Sequence, residues 1–287
     1  LRNHLVLNMT RQDVQEYVYN MLDKLLSENN IRYIKWDMNR SVDNVFSSAA
    51  PYLSQGAVRH KYILGLYEVM EYILSRYPDL LIEGCSGGGG RYDAGMLYYV
   101  PQIWCSDNTD AVCRMKIQYA TSFMFPPVTM GAHVSGTPNQ QTGRNVPLGT
   151  RGAVAMSANL GYELDLMKCS QKELRQIAGQ VSFYKKIRKT IEFGEFYRLH
   201  NPFEENLAAW NFVSRDGQEV VAFWFEILSE GAPSVKLLKL EGLEETAHYE
   251  NVETKEIYGG DELMYSGISI PLKKQDFRSE CYRFRKI

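Results

Sequence analysis

Up to about residue 190, short apolar runs alternate with longer stretches whose apolar residues recur at helical spacing. The run HLVLNM at 4–9 predicts a strand. Apolar positions 14, 18, 21, 22, 25 and 26 predict a helix over 11–29, with Thr10 as its N-cap. IRYIKWDM at 31–38 predicts a strand, and 59–76 a helix closed by Pro78. LLIEGCS at 80–86 predicts a strand that runs into four glycines, 87–90. QIWCSD at 102–107 predicts another, followed by a helix over 110–124. Two more short strands fall within 126–134 and 159–166. A long helix over 170–191 begins at Ser170, with Glu173 three residues on, the spacing of a capping box. This β-α-β-α order implies a parallel sheet with helices outside it. Six strands are expected, where a closed barrel of this class has eight.

Beyond about residue 195 the pattern changes. AWNFVSRDGQEVVAFWFEI at 209–227 predicts a hairpin turning at Asp216-Gly217. Short β segments follow at 234–241, 246–251, 254–258, 268–272 and 280–285. They predict an antiparallel β-sandwich whose strands pair mostly with one another, joined through a linker near 192–200.

Composition narrows the function classes. Thirty-two basic side chains face 34 acidic ones among 287 residues. No basic surplus is available to neutralise phosphates, which weighs against a nucleic-acid partner. No apolar run approaches the ~18 residues of a membrane span. The five cysteines are odd in number and never spaced CxxC. They read as reduced thiols of a cytoplasmic protein, not a disulfide frame or a zinc site. The histidines form no HxxxH pair, so no metal is expected. Nineteen tyrosines suit a sugar-binding surface. The chain starts at Leu1 without a signal-like segment, as a processed protein or a piece of a longer one would.

Polar residues Asp37, Glu83, Cys85, Asp107 and His133 gather toward the C-terminal ends of the predicted parallel strands, the edge at which ligands bind in such folds. Lys35 and Asp37 are two apart on a strand and share a face, and Asn39 follows if the extended geometry persists. An ammonium beside Asp37 favours the ionised carboxylate that a nucleophile or base needs; a structural ion pair is the alternative. Asp107 ends another strand. Two aspartates from neighbouring strand ends can flank one glycosidic bond, one attacking while the other donates a proton. Asp110, three residues on, falls in the first turn of the next helix. It is assigned a structural role worth about 0.3–1 kcal/mol through the helix dipole. The run Cys85-Ser86-Gly87-Gly88-Gly89-Gly90 fits neither GxxxxGKS nor GxGxxG. Its glycines allow backbone to approach a ligand ring or make a sharp turn. Cys85 lacks a nearby histidine and is expected to line a pocket, not to attack. His133 ends a strand and is either a substrate contact or a packed, hydrogen-bonded side chain.

KWDMNR at 35–40, CSGGGGRYD at 85–93, MLYYVPQIWCSDNTDA at 96–111 and GAHVS…PNQQTGR at 131–144 together resemble glycoside hydrolase family 36. The likeness runs in order from Arg2 to the C-terminus. It implies a (β/α)₈ TIM barrel lacking its first strands, entered at the third, followed by an antiparallel β-sandwich domain. The barrel portion would cover 1–192 and the β-domain 193–287. It further implies retaining hydrolysis of terminal α-D-galactosides of the melibiose and raffinose type, without metal or cofactor. Asp37 would be the nucleophile and Asp107 the acid/base. Arg2, Lys35, Asn39, Cys85, Gly87, Gly88 and Asn108 would bind substrate. Asn108 stands where many members carry aspartate, which keeps size and hydrogen bonding and removes a charge. Alternatives are an α-N-acetylgalactosaminidase or galactosyltransferase of the same family, or a fragment that binds carbohydrate without turnover when alone. Partners are expected to be α-galactoside oligosaccharides, with no nucleic acid and no membrane. A homo-oligomer is left open for the full-length protein.

Overall fold

The computed structural model describes residues 5–40, 42, 45–231 and 235–287. The chain divides into two compact units, one up to Asp107 and one over Asn108–Ile287. Among the described residues no helix is long and apolar enough to cross a membrane.

The first unit contains helices α1 (Gln12–Glu28), α2 (Val58–Arg76) and α3 (Ala94–Tyr99) and strands β1 (Tyr33–Asp37), β2 (Leu81–Cys85) and β3 (Gln102–Trp104). The strands are parallel, with β2 between the others. Val18, Leu22 and Leu26 of α1 pack with Leu66, Val69, Met70 and Ile73 of α2, the face that the helical spacing selects. Partners across a parallel ladder project to the same side of the sheet. Lys35 is in register with Glu83, and Glu83 with Gln102. One step toward the C-terminal ends, Asp37 faces Cys85. Trp104, two residues beyond Gln102, projects to the same side.

Two expectations fail in this unit. Residues 5–8 form no strand, and Leu5 is fully exposed. Apolar alternation alone does not make a strand; a ladder partner does, and none is seen for this segment among the described residues. Thr10 does not cap α1. Its N–H and hydroxyl both donate to Asn8 Oδ1, at 3.2 and 2.7 Å, which spends it in an Asx turn, and Arg11 occupies the cap position.

The second unit begins with α4 (Ala111–Thr121), β4 (Met130–Ser135), α5 (Leu148–Met156), β5 (Asn159–Glu163) and α6 (Gln171–Phe193), with β4 and β5 parallel. Ser170 and Glu173 form the expected capping box. The chain continues through β6 (Glu195–His200), β7 (Leu207–Val213), β8 (Glu219–Glu226), β9 (Lys236–Leu238), β10 (His248–Asn251), β11 (Ile257–Gly259), β12 (Ile268–Ile270) and β13 (Arg278–Lys286). These make a six-stranded antiparallel sheet, β11-β10-β13-β8-β7-β6, and a separate β12-β9 pair.

Strand β8 is buried on both faces. Val220, Ala222 and Trp224 meet Leu238, Ile268 and Ile270, while Val221, Phe223 and Phe225 meet apolar residues of α4, α5 and α6. That is why its sequence reads as a continuous apolar run without alternation. The linker expected near 192–200 is instead largely β6, which follows α6 almost at once and pairs with β7.

Candidate active site

Asp37 ends β1, and the segment after it is pinned to the glycine loop. The Asn39 amide donates to Asp37 Oδ2, while its carbonyl oxygen accepts the Gly87 N–H at 3.0 Å. Ser86 Oγ donates to the Met38 carbonyl at 2.8 Å. The Arg91 guanidinium donates to the carbonyls of Trp36 and Cys85, at 3.1 and 2.7 Å, and so clasps the C-terminal ends of β1 and β2. Cys85 is buried; burial pushes its thiol up, and the adjacent Asp37 carboxylate adds to the effect. A protonated thiol suits a pocket wall and not a nucleophile.

The glycines are required by close approach to the end of β3. Gly88 has φ +86°, and a Cβ there would lie 2.8 Å from Ser106 Cα and 2.9 Å from the Asp107 nitrogen. A Cβ on Gly89 would lie 2.7 Å from the Cys105 carbonyl oxygen. The loop is therefore laid directly against the backbone that carries Asp107. Asp107 lines a hollow of about 720 Å³ with Met38, Asn39, Arg40, Tyr62, Ser86, Gly87 and Arg91. Asp37 lines a hollow of about 350 Å³ whose wall shares Met38, Asn39, Arg40, Tyr62 and Arg91 with the first. The two carboxylates thus open on spaces that meet at one wall.

The other candidates fall into distinct places. Lys35 Nζ lies 3.4 Å from Glu83 Oε1 and 4.8 Å from the Trp104 ring centroid. Asn108 Oδ1 accepts the Asp110 N–H at 3.0 Å, a local turn contact. His133 lies 3.3 Å from Glu163 across paired strands and packs over Gly161, where a Cβ would reach within 2.4 Å of its ring. These contacts give it a packed, hydrogen-bonded setting. Arg2 lies outside the described residues. The sequence offers no role for Arg91, which only follows the glycine run, and Glu83, expected among the polar residues at the strand ends, lies in the middle of β2. Among the described residues no three His, Cys, Asp or Glu side chains converge as a metal would need.

Asp110 is the N-cap of α4, 1% exposed, and accepts the Val112 and Cys113 N–H groups at 2.7 and 3.3 Å. It also accepts from the Thr142 hydroxyl and the Arg144 guanidinium. Burial alone would raise its pKa, but these four donors together hold it below its ordinary 3.8. Breaking a buried pair and a cap at once should cost more than the dipole alone. Asp110→Ala is expected to lower stability by about 2–4 kcal/mol in chemical denaturation. The depressed pKa makes this contribution present above about pH 4 and lost as pH falls through the folded value. Asp110→Asn should accordingly flatten the acid limb of the stability curve, and an unchanged limb would contradict the assignment.

Two aspartates at or just beyond parallel strand ends, a glycine loop and an open polar hollow thus stand together in the first unit. A melibiase model matches residues 1–194, and a model of the glycosyl hydrolase family 36 C-terminal domain matches 207–284. The chain belongs to glycoside hydrolase family 36. It is 50% identical over 286 residues to alpha-galactosidase AgaA of Geobacillus stearothermophilus, covering 100% of this chain and 39% of that protein. It is 46% identical over 286 residues to alpha-galactosidase Mel36A of Lactobacillus acidophilus, again over 100% of this chain and 39% of that protein. The crystal structure of AgaA superposes with a TM-score of 0.97 at 49% identity, covering 100% of this chain and 40% of that one. The chain thus spans about two fifths of the length of these relatives.

Proposed function

We propose that the protein containing this chain hydrolyses terminal non-reducing α-D-galactosides with retention of configuration. The observation that carries the reading is Asp37 at the end of β1 and Asp107 just beyond the end of β3, with β2 between them, opening on hollows with a common wall. Support comes from two variants of AgaA. One in which an aspartate is replaced by asparagine was crystallised with raffinose, and one in which another is replaced by alanine with stachyose. The two replaced aspartates lie seventy residues apart in that chain, the separation of Asp37 and Asp107 here.

In the proposed mechanism Asp37 attacks the anomeric carbon while Asp107 protonates the departing oxygen, leaving a β-galactosyl ester on Asp37. Asp107 then removes a proton from water, which attacks the same carbon, frees Asp37 and yields α-galactose. Asn39 holds Asp37 in orientation from the side facing Gly87. The parallel strands are read as later strands of a (β/α)₈ barrel, with the β-domain beginning near residue 193. Raffinose-type oligosaccharides are the proposed substrates and the cytoplasm the proposed location. A likeness to a putative α-N-acetylgalactosaminidase, at 14% identity and TM-score 0.56, speaks to fold alone.

The test follows the first-formed sugar by proton NMR as the full-length protein cleaves p-nitrophenyl α-galactoside. α-Galactose should appear first and mutarotate later. β-Galactose appearing first would overturn the retaining mechanism, and no release of galactose would overturn the activity.

A further inference from the structure

Glu83 sits in the middle of β2 with its side chain 1% exposed, below the level of Asp37 and Cys85. One carboxylate oxygen, Oε2, accepts from the Tyr33 hydroxyl and from the Gln102 amide at 2.9 Å. The other, Oε1, is buried and receives no hydrogen bond among the described residues. Among the described residues the Lys35 ammonium, 3.4 Å away and in register across the ladder, supplies it with opposite charge. A buried carboxylate oxygen without a donor is costly, so the pair constrains both members. Lys35 is thereby held against the face of Trp104, at 4.8 Å from the centroid, two residues from Asp37 on the same side of β1.

We propose that Glu83 is a positioning residue for sugar binding: it fixes the Lys35 ammonium over Trp104, on the face of β1 that carries Asp37 two residues on. The proposal rests on the α-galactosidase reading and adds to it a group that never touches the sugar. Without Glu83 the four-carbon stem of Lys35 regains its rotamers and the ammonium leaves the ring. The loss falls on binding, because Asp37 and Asp107 keep their own anchors, Asn39 and the glycine loop.

The test compares the full-length protein with Glu83→Gln, Lys35→Met and the double variant. KM and kcat for p-nitrophenyl α-galactoside are measured, with galactose affinity by calorimetry and the melting temperature as a check on folding. Glu83→Gln should raise KM and the galactose Kd by about tenfold or more, with kcat within about threefold. The double variant should be no worse than Lys35→Met alone, because both changes remove one interaction. Glu83→Asp keeps the charge, withdraws it by one methylene and should shift KM the same way by less. It is the variant to read if Glu83→Gln does not fold. Unchanged KM and Kd in the folded variants, or losses that add in the double variant, would overturn the proposal. If the unmodified protein binds galactose without hydrolysing the glycoside, the hydrolase reading falls and the Kd series alone decides the role of Glu83. If it does neither, both readings fall.

Discussion

Asp37→Gly in the full-length protein is expected to lower hydrolysis of p-nitrophenyl α-galactoside by about 10⁴-fold or more, with little change in melting temperature. Asp37 is exposed at a strand end, and its partner Asn39 stays anchored through Gly87, so the fold does not depend on the carboxylate. The reaction does, because among the described residues Asp37 is the carboxylate at the end of β1. The glycine also leaves a space the size of a carboxylate. Azide entering that space should attack the anomeric carbon once and release β-galactosyl azide, the anomer opposite to the substrate. Restored turnover with that product would identify Asp37 as the nucleophile. Residual activity within about tenfold of the unmodified enzyme would exclude it.

Asp107→Asn should divide substrates by leaving group. Melibiose, whose departing alcohol needs a proton, should be cleaved about 10²–10⁴-fold more slowly. An aryl galactoside with an acidic phenol should still transfer its sugar to Asp37. Water would then lack its base, so the galactosyl-enzyme should accumulate and give a burst of phenol followed by a slow steady state. Asparagine has nearly the volume of aspartate, so the contact with the glycine loop is kept. Equal losses on both substrates would point to a positioning defect and away from acid/base chemistry. The same comparison on Asp110→Asn should show lowered stability and no dependence on leaving group.

Much of this was legible because local and long-range rules agree in the first unit. Strands β1 and β2 are short apolar runs ending in polar residues, and α1 and α2 have one solvent face that keeps the helical period visible. Helix α5 escaped because all nine of its residues but Gly149 are buried; with no solvent face there is no period to read. Strand β6 escaped because its residues are all partly exposed and it follows α6 with a single intervening glycine. The structural role of Asp110 was legible, but its weight was not, since Thr142 and Arg144 arrive from more than thirty residues away. Glu83 was legible only as one of the polar residues near the strand ends, with no role of its own. Its meaning comes from register, which places Lys35 and Gln102 on either side of it, and register is set by pairing that one strand does not encode.

The aromatic face of β7 and β8 has a consequence for how the molecule comes apart. Trp210, Phe212, Phe223 and Phe225 share one core with Ala111, Met115, Val154 and Ile187 of α4, α5 and α6. Thr150 Oγ1 donates to the Phe277 carbonyl at 2.6 Å, and Thr190 Oγ1 to Glu219 Oε2 at 2.5 Å, so polar contacts cross the same seam. A cut at residue 193 separates two lengths of sequence but no independent melting units. The helices would lose the surface they fold onto, and the sheet would be left with a bare aromatic face. Residues 108–287 are therefore expected to unfold as one cooperative block, so that loosening of the C-terminal sheet reaches the helices packed on it.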